Sequence, residues 1–346
     1  MVRLLLHDAP LAPLVPSGFS SPLHSLPSPP SPLFTLSTPH PHHSPPSPLA
    51  TLLTRLAQNN FNDFAGSGIV HMTGGVAALM GAIVIGPRMG RFGPTSKLCG
   101  MDNVGEESEK EFQPSSPTFQ ALGTLILWFG WYGFNPGSTV AIHDEANSRS
   151  ASLAAINTTL SPAFSVIACL IYNLCKYKCA KVDLGQLMNC LLGGLVGITA
   201  GCASVRPWEA MLIGLLSAPV YLSASAMLKM LKIDDPLDAA PVHMFCGAWG
   251  VLAAGIFGVR DESIIGIQIG GIFAIMAWVA CTTGIIFVAL KACNMLRVSP
   301  EEELKGLDVS HHGAIDMTPV INPVTMYNTT SEKIVVAGKA KSLEMA

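Results

Sequence analysis

Two histidines in matching sequence frames are the residues of this chain best suited to chemistry. His71 and His243 each stand in a Val-His-Met sequence, with a glycine four residues later and an aspartate eight residues earlier. The glycines are Gly75 and Gly247, and the aspartates are Asp63 and Asp235. An apolar environment disfavours imidazolium, and a neutral imidazole carries one donor and one acceptor nitrogen. Two facing histidines could share one hydrogen bond and leave polar sites for a small permeant, or pass a proton between them. A single histidine would more often be an interhelical hydrogen-bond partner, so the repetition favours a pore.

An aromatic segment adds a second candidate group. Trp131 and Phe134 are three residues apart and therefore lie on one helix face. Pro136 and Gly137 are expected to end the helix and free backbone carbonyls. Aromatic faces with such carbonyls and the Ser138 hydroxyl would attract a small cation through the ring quadrupoles. The alternative is an interfacial aromatic belt, which is common in membrane helices.

The elements that must position these groups are apolar helices. Between Asp63 and Lys291, seven stretches of at least 19 residues carry no charged side chain. About 20 apolar residues cross a membrane core of about 30 Å. The charged fraction is 12%, where a soluble domain has about 25%. We therefore predict an all-α, polytopic transmembrane helical bundle rather than a soluble globular enzyme. The seven predicted spans are approximately 64–87, 118–141, 150–175, 185–205, 208–229, 239–259 and 263–291.

Composition weakens several other functions. A net charge of −3 without a basic face gives no electrostatic footprint for nucleic acid. The nine cysteines form no paired CxxC framework, so neither a zinc site nor a disulfide scaffold is indicated. We expect no metal and no cofactor. A seven-helix receptor does not fit the histidine repeat. An intramembrane hydrolase does not fit either, because eight helical residues place each aspartate about 12 Å from its histidine. The chain is therefore predicted not to be an enzyme.

Charge distribution predicts the topology. One set of loops carries twelve lysines and arginines, whereas the opposite set carries three. The positive-inside rule then places the N-terminus outside and the C-terminus in the cytoplasm. The first and sixth spans run in opposite directions, as in inverted-topology repeats. Residues 1–60 are Pro/Ser-rich and predicted to be disordered, 61–297 form the membrane domain, and 298–346 form a cytoplasmic tail.

Five segments together resemble the ammonium transporter (Amt/Mep/Rh) family, closest to its plant-type Amt branch. The segments are residues 63–71 (DFAGSGIVH), 86–92 (GPRMGRF), 128–138 (WFGWYGFNPGS), 234–243 (DDPLDAAPVH) and 306–313 (GLDVSHHG). The resemblance covers roughly residues 61–315. It implies a fold of eleven helices, in which two groups of five form an inverted repeat around a pore in each subunit of a trimer. The seven spans of this chain would be the fifth to eleventh helices.

The resemblance also implies roles for individual residues. His71 and His243 match the twin pore histidines, and Trp131 and Leu127 match apolar pore-wall positions. Phe134 matches one of two stacked gate phenylalanines, and Ser138 matches the hydroxyl of the outer ammonium site. Two further positions have implied roles outside the pore wall: Asp63 would hold the recruitment site, and Ser310 stands where plant-type members carry a phosphorylatable threonine. Ammonium would bind at the mouth and lose its proton, and ammonia would cross while the proton travels separately.

The chain also departs from the family pattern. The first four helices of the family have no counterpart in the sequence, and residues 1–60 are unlike them. We therefore expect either a truncated or misassembled form of a transporter, or a short form. A short form could be a non-conducting or regulatory subunit that assembles with full-length transporters. The expected partners are ammonium or ammonia, membrane lipid and either two further copies or full-length subunits in a trimer. The expected location is the plasma membrane.

Overall fold

The computed structural model describes residues 61–92, 112, 116–258 and 263–313, which are helical and contain no strand. The long helices are α1 (Ser67–Ile85), α2 (Pro117–Phe134), α3 (Glu145–Lys176), α4 (Leu184–Thr199), α5 (Pro207–Met230), α6 (Ala240–Gly258) and α7 (Ser263–Ala292). A 3₁₀ turn, Pro136–Thr139, follows α2. Two short helices, α8 (Pro300–Lys305) and α9 (Leu307–Ser310), come after α7. The predicted segment 1–60 lies outside the described residues.

Each predicted span contains a helix, but the helices differ in their ability to cross a membrane. Five of the described helices, α1, α3, α5, α6 and α7, are long and apolar enough to do so. The other two are α2, with 18 residues, and α4, with 16. The all-α architecture is confirmed, whereas the number of seven spans stays a prediction.

Polar side chains set where the helices begin. Asp144 accepts a hydrogen bond from Asn147 N at 2.8 Å, and α3 begins at Glu145, five residues before the predicted span. Asp183 likewise caps α4 through Gln186 N at 3.0 Å. Such caps satisfy backbone donors that have no partner within the helix. Short polar residues at the ends of charge-free stretches therefore fix the helix boundaries.

The carbonyls at the C-terminal end of α4 accept hydrogen bonds from the segment that leads into α1. The carbonyls of Thr199 and Ala200 accept hydrogen bonds from Ala65 N and Phe64 N, at 3.2 and 2.9 Å. The hydroxyl of Ser67 accepts from Ala200 N at 2.6 Å and donates to the Val196 carbonyl at 2.7 Å. These contacts end α4 at Thr199, six residues before the predicted end of its span.

Helices α3, α4 and α5 meet closely around one point. Pro162 in α3 has no N–H, and its Cα lies only 2.8 Å from where a Cβ of Gly194 would stand. A Cβ on Gly214 of α5 would lie 2.6 Å from the Ser161 carbonyl carbon. The Ser161 hydroxyl donates to the Gly194 carbonyl at 2.7 Å. Glycine thus permits three helix backbones to approach where side chains would separate them.

Helices α1, α6 and α7 form the second packed group. Their shared core contains Met72, Met244, Val251 and Ile275. Gln268 in α7 is fully buried, and its Nε2 donates to the Val251 and Asn62 carbonyls, each at 2.7 Å. The group brings the two histidine-bearing helices side by side.

Candidate functional site

The two histidines lie in equivalent backbone structures. His71 is in a π-helical turn, Ser67–Met72, at the start of α1, and His243 is in another, Ala240–Phe245, at the start of α6. Asp63 Oδ2 accepts hydrogen bonds from Gly68 N and Ile69 N at 3.1 and 2.8 Å. Asp235 Oδ2 accepts from Ala240 N at 2.7 Å. The internal repeat therefore extends to the aspartate that caps each π-turn, and π-turns are frequent at functional sites.

The two imidazole rings stack on each other. Their centroids are 5.4 Å apart, with 13° between the ring planes. The Nε2 atom of His71 is buried and has no hydrogen-bond partner among the described residues. A buried polar atom without a partner carries a free-energy cost of about 1–3 kcal/mol. The site therefore offers hydrogen-bonding capacity that a small polar molecule could use.

Two aromatic rings of α2 also contact His71. The Trp131 ring stacks on it, with centroids 5.0 Å apart and 11° between planes. The Phe134 ring is 5.5 Å from His71 and 5.9 Å from Trp131. Trp131 Nε1 donates to Thr199 Oγ1 at 3.1 Å. The structure thus brings four of the predicted site residues together, and Thr199, which the sequence analysis missed, holds the indole in place.

The end of α2 differs in part from the expectation. The helix stops at Phe134 before Pro136, as predicted. However, two carbonyls at this helix end are bonded by nearby hydroxyls. Ser138 Oγ donates to the Phe134 carbonyl at 2.8 Å, and Thr139 Oγ1 donates to the Pro136 carbonyl at 2.9 Å. Short hydroxyl side chains readily form such local bonds. The Ser138 hydroxyl proton is therefore directed to its own backbone.

The remaining predicted residues lie around this cluster or away from it. Leu127 is one turn before Trp131 in α2 and is 50% exposed. Asp63 Oδ1 is buried and has no hydrogen-bond partner among the described residues. Ser310 is in α9, beyond the membrane helices, and its Oγ donates to the Gly306 carbonyl at 3.0 Å. The pore-wall, recruitment and regulatory roles of these three residues stay predictions.

A charged cluster, defined here as Arg88, Asp234, Arg297 and Glu303, connects α8 to the loops after α1 and α5. The Arg88 guanidinium binds Asp234 through two hydrogen bonds, at 2.7 and 2.9 Å. Arg297 binds Glu303 through two more, each at 2.8 Å. Glu303 Oε1 also accepts from Met89 N at 2.8 Å. The sequence predicted these arginines only as topology signals, and their acidic partners could not be identified from it.

Hydrogen bonds to these arginines keep both acids ionised. Burial opposes the ionisation of Asp234, but the bonds from the Arg88 side chain and backbone outweigh it, so its pKa lies below the ordinary value. The Arg297 guanidinium lowers the pKa of Glu303 in the same way. The beginning of the tail is attached to the loop after α1 by two of these ionised groups: Glu303 accepts from Met89 N, and Arg297 donates to the Ile85 and Pro87 carbonyls.

Comparisons with known proteins identify relatives of this chain. Residues 48–317 match the model of the Ammonium Transporter Family. The match begins within the segment 1–60. A Synechocystis protein that carries the name of an ammonium transporter is 41% identical over 254 residues, and the alignment covers 73% of this chain and 54% of that protein. Ammonium transporter 1 member 1 of Oryza sativa subsp. japonica is 38% identical, with 72% of this chain and 53% of the relative covered.

The fold has counterparts among solved structures. The structure of a protein titled "Sensor Amt Protein" superposes with a TM-score of 0.64 at 32% identity, covering 74% of this chain and 62% of that one. The chain spans about half the length of the curated relatives it matches. The shared region contains both histidine turns and the aromatic segment of α2.

Proposed function

Because the chain belongs to the ammonium transporter family, we propose that it takes part in moving ammonium across a membrane along a path lined by His71 and His243. Membership in this family and its apolar helices make it a multi-pass membrane protein. The observation that carries the proposal is the pair of stacked imidazoles 5.4 Å apart, with the His71 Nε2 buried and unpartnered among the described residues.

The chemistry follows from the surroundings of this pair. Ammonium is recruited at the aromatic segment, where Trp131, Phe134 and Ser138 meet, because ring faces attract cations. A bare cation is costly in an apolar interior, so ammonium loses one proton before passage and crosses as neutral ammonia. The unpartnered Nε2 of His71 then forms a hydrogen bond with the ammonia that passes it. The released proton is accepted by water at the mouth or passed between the two imidazoles, and it crosses separately from ammonia.

Uptake by cells that lack their own ammonium transporters tests this proposal. His71→Ala and His243→Ala are expected to change the rate and the selectivity of ammonium uptake, because each removes one wall of the site. His143→Ala is the matched control, since the His143 side chain is 84% exposed. Unchanged transport and selectivity in both pore variants would refute the assignment of the histidines.

The oligomer and orientation are parts of the same proposal. The subunit assembles as a trimer in the plasma membrane, either with copies of itself or with full-length transporters, with its C-terminus in the cytoplasm. Native mass spectrometry of the detergent-extracted protein measures the subunit number. Affinity capture of a co-expressed, tagged full-length relative measures mixed assembly. The untagged chain is retained with the tag if mixed trimers form, and it is not retained if they do not.

A second candidate function is a non-conducting or regulatory subunit. Two observations favour it: the chain spans about half the length of its relatives, and the predicted pore-wall residue Leu127 and gate residue Phe134 are 50% and 37% exposed. In this case the chain alone supports no uptake, but it co-purifies with a full-length transporter and alters the uptake of that transporter. Uptake by the chain alone would refute this alternative.

Regulation through Ser310 belongs to the proposal as well. A phosphate there would add a charge of about −1.5 to −2 to the tail and remove the hydroxyl proton that now bonds Gly306. We expect Ser310→Asp to lower uptake and Ser310→Ala to preserve it. Mass spectrometry of the protein isolated from its native cells detects the phosphate directly.

A further inference from the structure

The glycine that follows each histidine contacts the turn that carries the other histidine. A Cβ on Gly75 in α1 would lie 2.7 Å from the His243 carbonyl carbon and closer still to the backbone nitrogen of Met244. A Cβ on Gly247 in α6 would lie 2.5 Å from the Ser67 carbonyl oxygen and 3.1 Å from Met72 N. The two contacts are reciprocal: each glycine of the repeat touches the opposite π-turn.

The atoms that a new methyl group would meet are mainly backbone atoms. A side chain could rotate away from an added methyl group, but a backbone within a helical turn cannot. Non-bonded carbon atoms are comfortable at about 3.5–4.0 Å, so alanine at either position requires α1 and α6 to separate by about an ångström. That separation would move the two imidazoles, which are fixed to the same two turns.

We propose that Gly75 and Gly247 are positioning residues that set the gap between the two imidazoles and thereby the size of the permeant that passes. This inference rests on the proposed transport function and extends it to specificity. The glycines touch no permeant themselves. They act through His71 and His243, whose ring centroids they hold 5.4 Å apart.

Other glycines of the chain provide controls that separate spacing from ordinary packing. Gly74 is next to Gly75, and nothing lies within 4 Å of its Cβ position. Gly74→Ala therefore measures the effect of alanine in this helix without a contact to the other histidine turn. Gly214 is equally crowded, but it packs on Ser161 in the α3–α5 contact and not on a histidine turn. Gly214→Ala therefore disturbs packing while leaving the imidazole gap unchanged.

The experiment compares uptake of ammonium and of methylammonium by the full chain. Gly75→Ala and Gly247→Ala are expected to lower ammonium uptake roughly tenfold to a hundredfold, as an ångström of misplacement does at other sites, and to raise the ratio of methylammonium to ammonium uptake. Gly74→Ala should change neither quantity. Gly214→Ala should lower both uptake rates equally, because a loss of folded protein does not alter a ratio.

A double variant adds a second criterion. Both substitutions widen the same gap between the imidazoles, so the double variant should reduce uptake by less than the product of the two single effects. Independent sites would instead act additively in free energy. An unchanged methylammonium ratio in both single variants would overturn the proposal. So would independent effects in the double variant, or the failure of both single variants to fold, since a spacing role requires an assembled bundle.

A structural measurement distinguishes failure of this inference from failure of the proposed function. Electron cryomicroscopy of Gly75→Ala should show the two imidazole centroids farther apart than the 5.4 Å of the unaltered chain. If the unaltered chain transports neither ion, the proposed function fails, but the distance still tests the role of the glycines. A distance that stays the same overturns that role whatever the uptake assay shows.

Discussion

The His71 ring stacks against two flat rings, the imidazole of His243 and the indole of Trp131. Stacking restricts rotation of the His71 ring, which fixes the direction of its unpartnered Nε2. The indole is fixed in turn by its hydrogen bond to Thr199. Because three helices contribute to this stack, the hydrogen-bonding direction of His71 depends on the packing of the whole site.

Substitutions of Trp131 distinguish the contribution of its ring from that of its N–H. Trp131→Phe keeps an aromatic face against His71 and removes the donor to Thr199, which still donates to the Leu195 carbonyl at 2.7 Å. We expect a loss of about 1 kcal/mol in the free energy of unfolding and much of the uptake to be retained. Trp131→Ala should abolish uptake, because it removes the ring.

Unfolding in mixed detergent micelles measures the first effect, and uptake measures the second. Tyr132→Phe is the control, since its hydroxyl bonds Thr159 at an exposed position and its loss should change neither result. Equal uptake by Trp131→Ala and Trp131→Phe would show that the stacked ring is not needed.

At the scale of helices, the structure depends on how closely backbones approach. Gly214→Ala places a methyl group against Ser161, and overpacking of this kind costs about 1–3 kcal/mol. Gly266→Ala in α7 meets nothing within 4 Å and should stabilise by up to about 1 kcal/mol through helix propensity. Thermal unfolding of the two variants should therefore move in opposite directions. A shift in the same direction would contradict the assigned packing.

The attachment of α8 to the bundle depends on ionised carboxylates. The pKa values of Asp234 and Glu303 are lowered in the folded protein. A group with a lowered pKa contributes stability above its unfolded value, and that contribution is lost as the pH falls through the folded value. Ordinary carboxyl groups titrate near pH 4, so the charged cluster should hold α8 at neutral pH and release it below about pH 4.

Hydrogen exchange of residues 297–313 as a function of pH measures this release. Glu303→Gln should expose α8 already at neutral pH, because the neutral amide accepts more weakly from Met89 N and no longer holds Arg297 against the Ile85 and Pro87 carbonyls. Glu301→Gln is the control, since Glu301 lies on the same helix and outside the cluster. A protection factor of α8, corrected for the pH dependence of intrinsic amide exchange, that does not change between pH 7 and pH 3 would contradict the proposed attachment.

For the whole molecule, the charge-free stretches of the sequence predicted the helices, because an apolar segment of that length is satisfied only as a helix in lipid. The repeated Val-His-Met frame also predicted that the two histidines meet. The π-turns around His71 and His243 could not be predicted, since local sequence does not encode that hydrogen-bond shift. The contacts of Gly75 and Gly247 were equally hidden, because a glycine gives no sign of which backbone it will touch.

The glycines of the helices differ in what they contact. Gly194 lies against the backbone of Pro162, whereas nothing lies within 4 Å of the Cβ positions of Gly266 and Gly270. A small residue permits close approach without causing it. At the end of α2, the Phe134 and Pro136 carbonyls accept hydrogen bonds from the Ser138 and Thr139 hydroxyls. The sequence indicates which contacts a residue can make, and the neighbouring residues determine which of them it makes.

Orientation in the membrane is a property of the whole chain, and native cysteines can report it. Cys179 and Cys293 are exposed and lie in loops of the lysine- and arginine-rich set, which the positive-inside rule assigns to the cytoplasm. A membrane-impermeant maleimide should therefore label them only after the cells are permeabilised. His143→Cys, in an exposed loop of the opposite set, should be labelled in intact cells. Labelling of Cys179 in intact cells, with His143→Cys protected, would reverse the topology and place the charged cluster and Ser310 outside.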